Sequence, residues 1–419
     1  MRLPRARFDL TILVFLALAA HFLYLHYSGD FFFPDSVTYL TPAHNLLRGL
    51  GFSVERDLPE TFRTPGYPLF LLPFLAATLN VVPIVVVQHL LAVALVPAVY
   101  LVARRITGSR PGALAAGLIM ALDIPTIHYA NKVLTESLFT FVLFGLFVLV
   151  LRIRRRGATI ALMLASGAIA GVLVLIRPAA ILYFLVPALF LALTENLRKV
   201  AAFTAIAVLI PAVWGIRNSV EAGGFTVSSV AGINMLLHRA APSIAIFEKG
   251  AFQDDLAMWQ ERLTAAANRE IVEREHVRSI DDVDGPVAAR YYGEIGGRIA
   301  FEHPWGLTLV VIRGVLVDLF ETDFEAIVMV SRIPSTILEE VIGAVTVGVT
   351  LLALLGAVAL WKRDRAVAAL IVATIGYFVL ISAGGESEAR FRVPVVPMIA
   401  IAAGAGVEAM RRGVRESAN

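Results

Sequence analysis

Apolar runs of roughly 20 residues recur along most of this chain, with short basic clusters standing between them. A hydrocarbon core about 30 Å thick takes about 20 residues of helix to cross, so this spacing restricts the chain to a bundle of membrane-spanning helices. A transmembrane barrel would instead need short segments of alternating polarity, which the sequence lacks. Helices also satisfy every backbone polar group internally, as lipid requires. The composition agrees: 58% of the 419 residues are hydrophobic, only 16% are charged, and the mean hydropathy is +0.77. The expected class is therefore an all-α integral membrane protein.

There is no cysteine, which excludes disulfides, thiolate metal sites and cysteine nucleophiles. The formal charge of +3 does not point to nucleic acid, because the basic residues lie in the clusters between apolar runs, where they report topology.

Those clusters are "ARRITGSR" from Ala103, "RIRRR" from Arg152, "ENLRK" from Glu195, "WKRDR" from Trp361 and the tail from Arg411; Arg2, Arg5 and Arg7 precede the first run. If each cluster is cytoplasmic, the spans between them must pair, and they do. The first run, about Phe8 to Tyr27, is too long for a signal-peptide core and reads as an uncleaved span. About ten spans result, with both termini cytoplasmic in the inner membrane. Three regions are expected: a membrane module over 1–216 whose first outer loop covers 28–80, an extracytoplasmic region over 217–335 with juxtamembrane helices, and C-terminal membrane helices over 336–419. The run 305–320 would break the pairing if it crossed the bilayer, so it is expected to be interfacial or re-entrant on the outer side.

With that topology, Asp35, Glu60, Arg63, Asp123, His128, Glu136, Arg177, Arg217, Glu386, Glu388, Arg390 and Arg392 all fall on the outer face. Acids and arginines gathering from separate loops onto one membrane face form a candidate active site. Arginine suits a phosphate because its guanidinium is a forked, permanently charged donor. A phosphate at that depth points to a lipid-linked one, and Asp35 could then accept the proton of an attacking acceptor hydroxyl. Asp123 with His128 offers the elements of a divalent metal site.

The segments "PDSVTYLTPAHNLLRGLGFS", "FRTPGYPLFLLPFLA", "KVLTESLFTFVL", "IRPAA", "WGIRNSVEAGGFTVSSVAGINMLL" and "ARFRVPVVPMIAIAAG" resemble, in their order and sidedness, the polyprenyl-phosphate-dependent glycosyltransferases of the C-type fold, the aminoarabinose transferase and protein O-mannosyltransferase group. The resemblance implies a helical membrane domain topped by a small outer domain, a polyprenyl-phosphate sugar donor, and an inverting transfer to a lipid, glycan or protein hydroxyl. It puts Asp35 in the place of the general base and, less directly, Glu60 in that of a second acid ahead of Arg63 and Pro65. Arg177, Arg390 and Arg392 match the arginines of the lipid-phosphate pocket, with Arg63 and Glu136 beside them. Ser36 stands where many relatives carry another acid, so metal dependence stays open.

Other roles fit the same residues. Asp35 could cap the helix "SVTYLTPAHNLL", and Glu136 could be a first-turn acid favoured by the helix dipole. Arg390 and Arg392 could anchor headgroups. A ligase using a diphosphate-linked glycan, or a transporter, would also place charge in a membrane bundle; a transporter, however, would concentrate it near the midplane.

Overall fold

The computed structural model describes residues 3–78, 80–323 and 336–417 together with Val328. Arg2 and the expected boundary at 335/336 lie outside the described residues.

The chain opens with α1 (Leu3–Ser28) and a first loop that carries α2 (Ser36–Leu47), a hairpin of β1 (Ser53–Glu55) with β2 (Leu58–Pro59), and α3 (Gly66–Ala77). The hairpin is a small departure from the all-α expectation; Asp57 turns it at a positive φ of 66°. Then come α4 (Val82–Thr107), α5 (Arg110–Leu122), α6 (Ile124–Ala130), α7 (Glu136–Arg156), α8 (Ile160–Ile176), α9 (Leu185–Ala192) and α10 (Leu197–Glu221). The outer helices are α11 (Val230–Asn234), α12 (Ala241–Ala245), α13 (Phe252–Glu275), α14 (Gly285–Glu302) and α15 (Pro304–Phe320). The described chain closes with α16 (Thr336–Arg363), α17 (Arg365–Ser382) and α18 (Val396–Ser417).

Among the described residues seven helices are long and apolar enough to cross a membrane, or nine if each of two bent pairs is one span. Seven of the ten expected spans are these long helices; the other three fall on the α5–α6 pair, on α8 and on the short helix α9. The α5–α6 pair bends by 42° at Asp123, and α8 stops at Ile176 because Pro178 has no N–H to continue it. The α14–α15 pair bends by 101°, with Pro304 opening α15.

Interhelical contact in lipid depends on close packing rather than on expulsion of water. Helix α18 supplies it through small residues: a Cβ on Gly112 of α5 would come within 2.5 Å of the Gly404 carbonyl oxygen. Its span is 78% buried, against 11% for that of α16, so α18 is the central strut and α16 lies on the outside. Residues just before α18 are thereby carried to the middle of one end of the bundle.

The two ends differ as the pairing of spans requires. At one end Arg110 holds Asp9 at 2.7 Å, Arg154 holds Asp364 at 2.8 Å, Arg412 holds Glu408 at 2.8 Å, and Arg363 donates to the Thr107 carbonyl at 3.0 Å. At the other end lie Asp35, Glu136, Arg177 and Arg390. Helix α15 belongs to this second end: Gly306 closes on the Ser243 carbonyl, and Gly314 on the backbone of Gly384.

Candidate active site

The loop that bears Asp35 is fixed at its start by the turn between α6 and α7. Asn131 Nδ2 donates to Ser28 Oγ at 2.6 Å and to the Asp30 carbonyl at 2.8 Å, Lys132 pairs with Asp30 at 2.5 Å, and the Val133 N–H donates to the Phe31 carbonyl at 2.9 Å. Glu136 opens α7 three residues further on. The polar run "NK" inside "HYANKVLTE" is the sequence signal of this tether, and it was not among the residues expected at the site.

Asp35 stands at the N-cap position of α2 but makes no capping bond with its side chain. Its carboxylate is instead held by two arginines: Arg63 Nη2 donates to Oδ1 at 2.7 Å and Arg390 Nη1 to Oδ2 at 3.0 Å. Arg390 Nε donates in turn to Glu136 Oε1, which also accepts from Arg177 Nη1 at 3.2 Å. Five of the expected residues thus form one chain, Arg63–Asp35–Arg390–Glu136–Arg177. Glu136 is fully buried and Arg390 nearly so, whereas a third of the Asp35 side chain remains accessible, making it the most open member of the chain.

Aromatic rings wall the guanidiniums. Arg63 lies 4.5 Å from the Tyr39 ring and 4.6 Å from Phe62, Arg390 lies 5.0 Å from Phe33, and Arg177 lies 5.4 Å from Phe391. Such contacts hold a guanidinium plane in place while leaving its N–H edge free for an anion.

Glu60 has a different position. It is buried, and its Oε1 accepts the backbone N–H of Phe62 at 2.5 Å and of Arg63 at 2.9 Å, so it shapes the turn that aims Arg63 and does not join the chain of ion pairs. The same loop is clamped from α10 and its sequel: Arg217 donates to the Phe52 carbonyl at 2.8 Å and the Glu60 carbonyl at 2.9 Å, and Ser228 Oγ to the Phe62 carbonyl at 2.6 Å.

Electrostatics separate the carboxyls. Burial acts to raise the Asp35 pKa, but Arg390 and Arg63 outweigh it and hold Asp35 below the usual aspartate value. Burial raises Glu60 despite its backbone donors. Glu388, 3.7 Å from Arg390, is pushed up to about 7, first by burial. Arg390 opposes this, but the neighbouring carboxylates of Glu136, Glu321 and Asp35 add to the upward shift. Three guanidiniums therefore face two carboxylates and a third acid, Glu388, whose ionised form burial disfavours. The cluster carries a positive surplus, which an anion would neutralise.

Besides Glu60, three expected residues are not joined to it. Arg392 points the other way: its Nη1 donates to the carbonyls of Asp318, Leu319 and Glu321 at 3.2, 3.0 and 3.1 Å, closing the C-terminus of α15. Asp123 caps α6, accepting from the Thr126 N–H at 3.0 Å, and His128 Nδ1 meets the Tyr24 hydroxyl at 2.5 Å. Among the described residues no group of three or more His, Cys, Asp or Glu side chains is placed to hold a metal ion. The pair Asp123 and His128 does not fit a resident metal.

An apolar groove of about 250 Å³ lies beside this end, between Leu118 and Leu122 of α5, Val345 and Val349 of α16, and Ile399 of α18. It leads from the outer surface of the bundle to Asp123 and Arg392.

This helical membrane bundle, with its charged cluster at one end beneath outer helices, shares its fold with solved glycosyltransferase structures. The solved structures that share it include the oligosaccharyltransferase AglB of Archaeoglobus fulgidus in complex with an inhibitory peptide and a dolichol-phosphate, at 13% identity over 98% of this chain with a TM-score of 0.53. An oligosaccharyltransferase from the same organism, tethered with an acceptor peptide, aligns at 14% identity over 96% of the chain with a TM-score of 0.53. The chain spans about half the length of these proteins, 52% and 49%. ArnT of Cupriavidus metallidurans bound to undecaprenyl phosphate aligns at 16% identity over 95% of this chain and 77% of its own, with a TM-score of 0.42. The sequence matches no protein-family model and no curated protein.

Proposed function

We propose that the protein is a membrane glycosyltransferase that moves a sugar from a polyprenyl-phosphate donor to an acceptor hydroxyl at the outer face of the cytoplasmic membrane. The observation that carries this reading is the pairing of Asp35, the accessible acid, with Arg390 and Arg63 in a cluster of surplus positive charge. On this reading a general base and a phosphate site stand side by side at the membrane surface, and the shared fold with AglB supports it.

In the resting chain Asp35 is a weak base, because both of its oxygens accept from guanidiniums. A donor phosphate competes for those same N–H groups. As Arg63 or Arg390 turns to the phosphate, Asp35 loses a cation and its basicity rises. It then takes the proton of the acceptor hydroxyl, whose oxygen bonds to the anomeric carbon while the bond to the phosphate oxygen breaks. The products are the glycoside, inverted at that carbon, and the polyprenyl phosphate, whose new charge the arginines stabilise. Glu136 and Glu60 are positioning residues: Glu136 ties Arg390 to Arg177, and Glu60 sets the turn of Arg63. The groove between α5, α16 and α18 is mostly apolar, with Asp123 and Arg392 among its lining, and suits the isoprenoid chain.

The end rich in unneutralised arginine is assigned to the cytoplasm by charge asymmetry, with both termini on that side. A transporter is disfavoured because the ionised groups gather at the two ends of the bundle.

A panel of polyprenyl-phosphate sugars and one polyprenyl-diphosphate glycan, presented to the protein in nanodiscs with hydroxyl acceptors, tests the proposal. Release of polyprenyl phosphate with an inverted glycoside supports it. Consumption of the diphosphate donor alone makes the protein a glycan ligase, and binding of no donor removes the proposal.

A further inference from the structure

The opposite end of the bundle holds a second cavity, roughly 25–30 Å along α7 from Glu136. It has a volume of about 410 Å³ and lies where the last turns of α4 and α7 run side by side. Val148, Arg152 and Arg155 share one face of α7, and Val102 and Arg105 share one face of α4, by their spacing of three and four residues. Toward the bilayer interior the walls are thus apolar, and toward the end of the helices they are lined by Arg105, Arg152, Arg155 and Arg156.

Several arginines of this end are already engaged. Arg110, Arg154 and Arg412 each hold a carboxylate, and Arg104 and Arg363 hold carbonyl oxygens. The four that line the cavity make no hydrogen bond or ion pair among the described residues, and no acidic side chain lines it. What sets these four apart from the other basic residues of this end is that they converge on one cavity with no acid in its lining. One turn deeper on the same face of α7, Gly145 has open space where a side chain would stand.

We propose that this cleft binds the headgroup of an anionic membrane phospholipid carrying two phosphodiesters, with its acyl chains lying along the apolar face below. Each phosphodiester accepts from a pair of guanidiniums, and the apolar walls take the first carbons of the chains. A free anion would use the arginines but not the walls. A lone arginine at a helix end anchors to any headgroup, whereas four around one cavity select a doubly charged one. The site is independent of the transfer reaction at the other end.

Native mass spectrometry of the detergent-purified protein, titrated with diphosphatidylglycerol, phosphatidylglycerol and phosphatidylcholine, tests the site. The wild type is expected to retain one diphosphatidylglycerol in preference to the other two. The variant Arg105→Gln/Arg152→Gln/Arg155→Gln/Arg156→Gln is expected to lose that retention by roughly tenfold or more, and the tail variant Arg411→Gln/Arg412→Gln/Arg415→Gln to keep it. Val148→Trp leaves every charge in place and fills the cleft, so it provides the same test if the quadruple variant does not fold, and it too is expected to lose the lipid. Equal loss in the tail variant, retention in Val148→Trp, equal binding of all three lipids, or full displacement by millimolar inorganic phosphate would each overturn the proposal.

Discussion

Asp35 and Arg390 lie 355 residues apart in the chain and meet at 3.0 Å, joining the loop after the first span to the residues before the last. Arg390 is carried there because it precedes α18, the most enclosed of the long helices, and its burial is tolerable only with Glu136 and Asp35 as partners. The contact therefore couples the integrity of the bundle to the placement of the proposed base.

Replacing Arg390 separates structural from chemical loss. Arg390→Ala leaves Glu136 buried with Arg177 as its remaining cation, and breaking such a pair costs about 3–5 kcal/mol. A fall in thermal stability is expected together with weaker donor binding, checked by melting in detergent and by donor titration. Arg177→Ala, which leaves the Arg390–Glu136 pair in place, is expected to destabilise the protein less.

The arginines around Asp35 predict a split in the pH profiles. In the free protein the Asp35 pKa is depressed, so its basic form persists as pH falls and the acid limb of kcat/KM lies below the usual aspartate value. With donor bound and an arginine turned to the phosphate, the pKa rises, so the acid limb of kcat lies at higher pH. Coincident limbs would show that the donor leaves both arginines on Asp35.

Glu388 gives a stability signature of opposite sign. Its pKa is raised to about 7 in the folded protein, so the fold disfavours its ionised form. Stability is lost as pH rises from the unfolded value, near 4.5, through about 7. Glu388→Gln removes that slope, and the stability of the variant relative to wild type is expected to be higher at pH 8 than at pH 5, read as the difference in Tm.

Arg392 is expected to behave unlike Arg390. Its Nη1 is spent on three carbonyls at the end of α15, so Arg392→Ala is expected to cost about 2 kcal/mol of stability and to leave the KM for the donor unchanged. A raised KM would mean that it also reaches the phosphate.

The bundle and the sidedness of its polar residues are legible in the sequence because lipid imposes span length and charge asymmetry directly. Hence Asp35, Arg63, Glu136, Arg177 and Arg390 are placed on one face, and the fold brings them into contact. What a side chain does within that face is set by local geometry that leaves no periodic trace. Arg390 and Arg392 are two residues apart, yet one turns to carboxylates and the other to the end of a helix. Glu60 has the right charge at about the right position, but two backbone N–H groups of its own turn claim it. The stacking of Phe33, Tyr39 and Phe391 on the arginines joins segments far apart in the chain and could not be read from any one of them. Asp123 and His128, five residues apart, are drawn to separate partners because Pro125 starts a helix between them.

The most direct test compares wild type with Asp35→Asn, reconstituted in nanodiscs, for both binding and turnover of the same radiolabelled polyprenyl-phosphate sugar. The account predicts that both bind the donor and that the variant consumes it at least about 100-fold more slowly, the loss expected for a missing general base. Turnover by Asp35→Asn close to that of the wild type would contradict it.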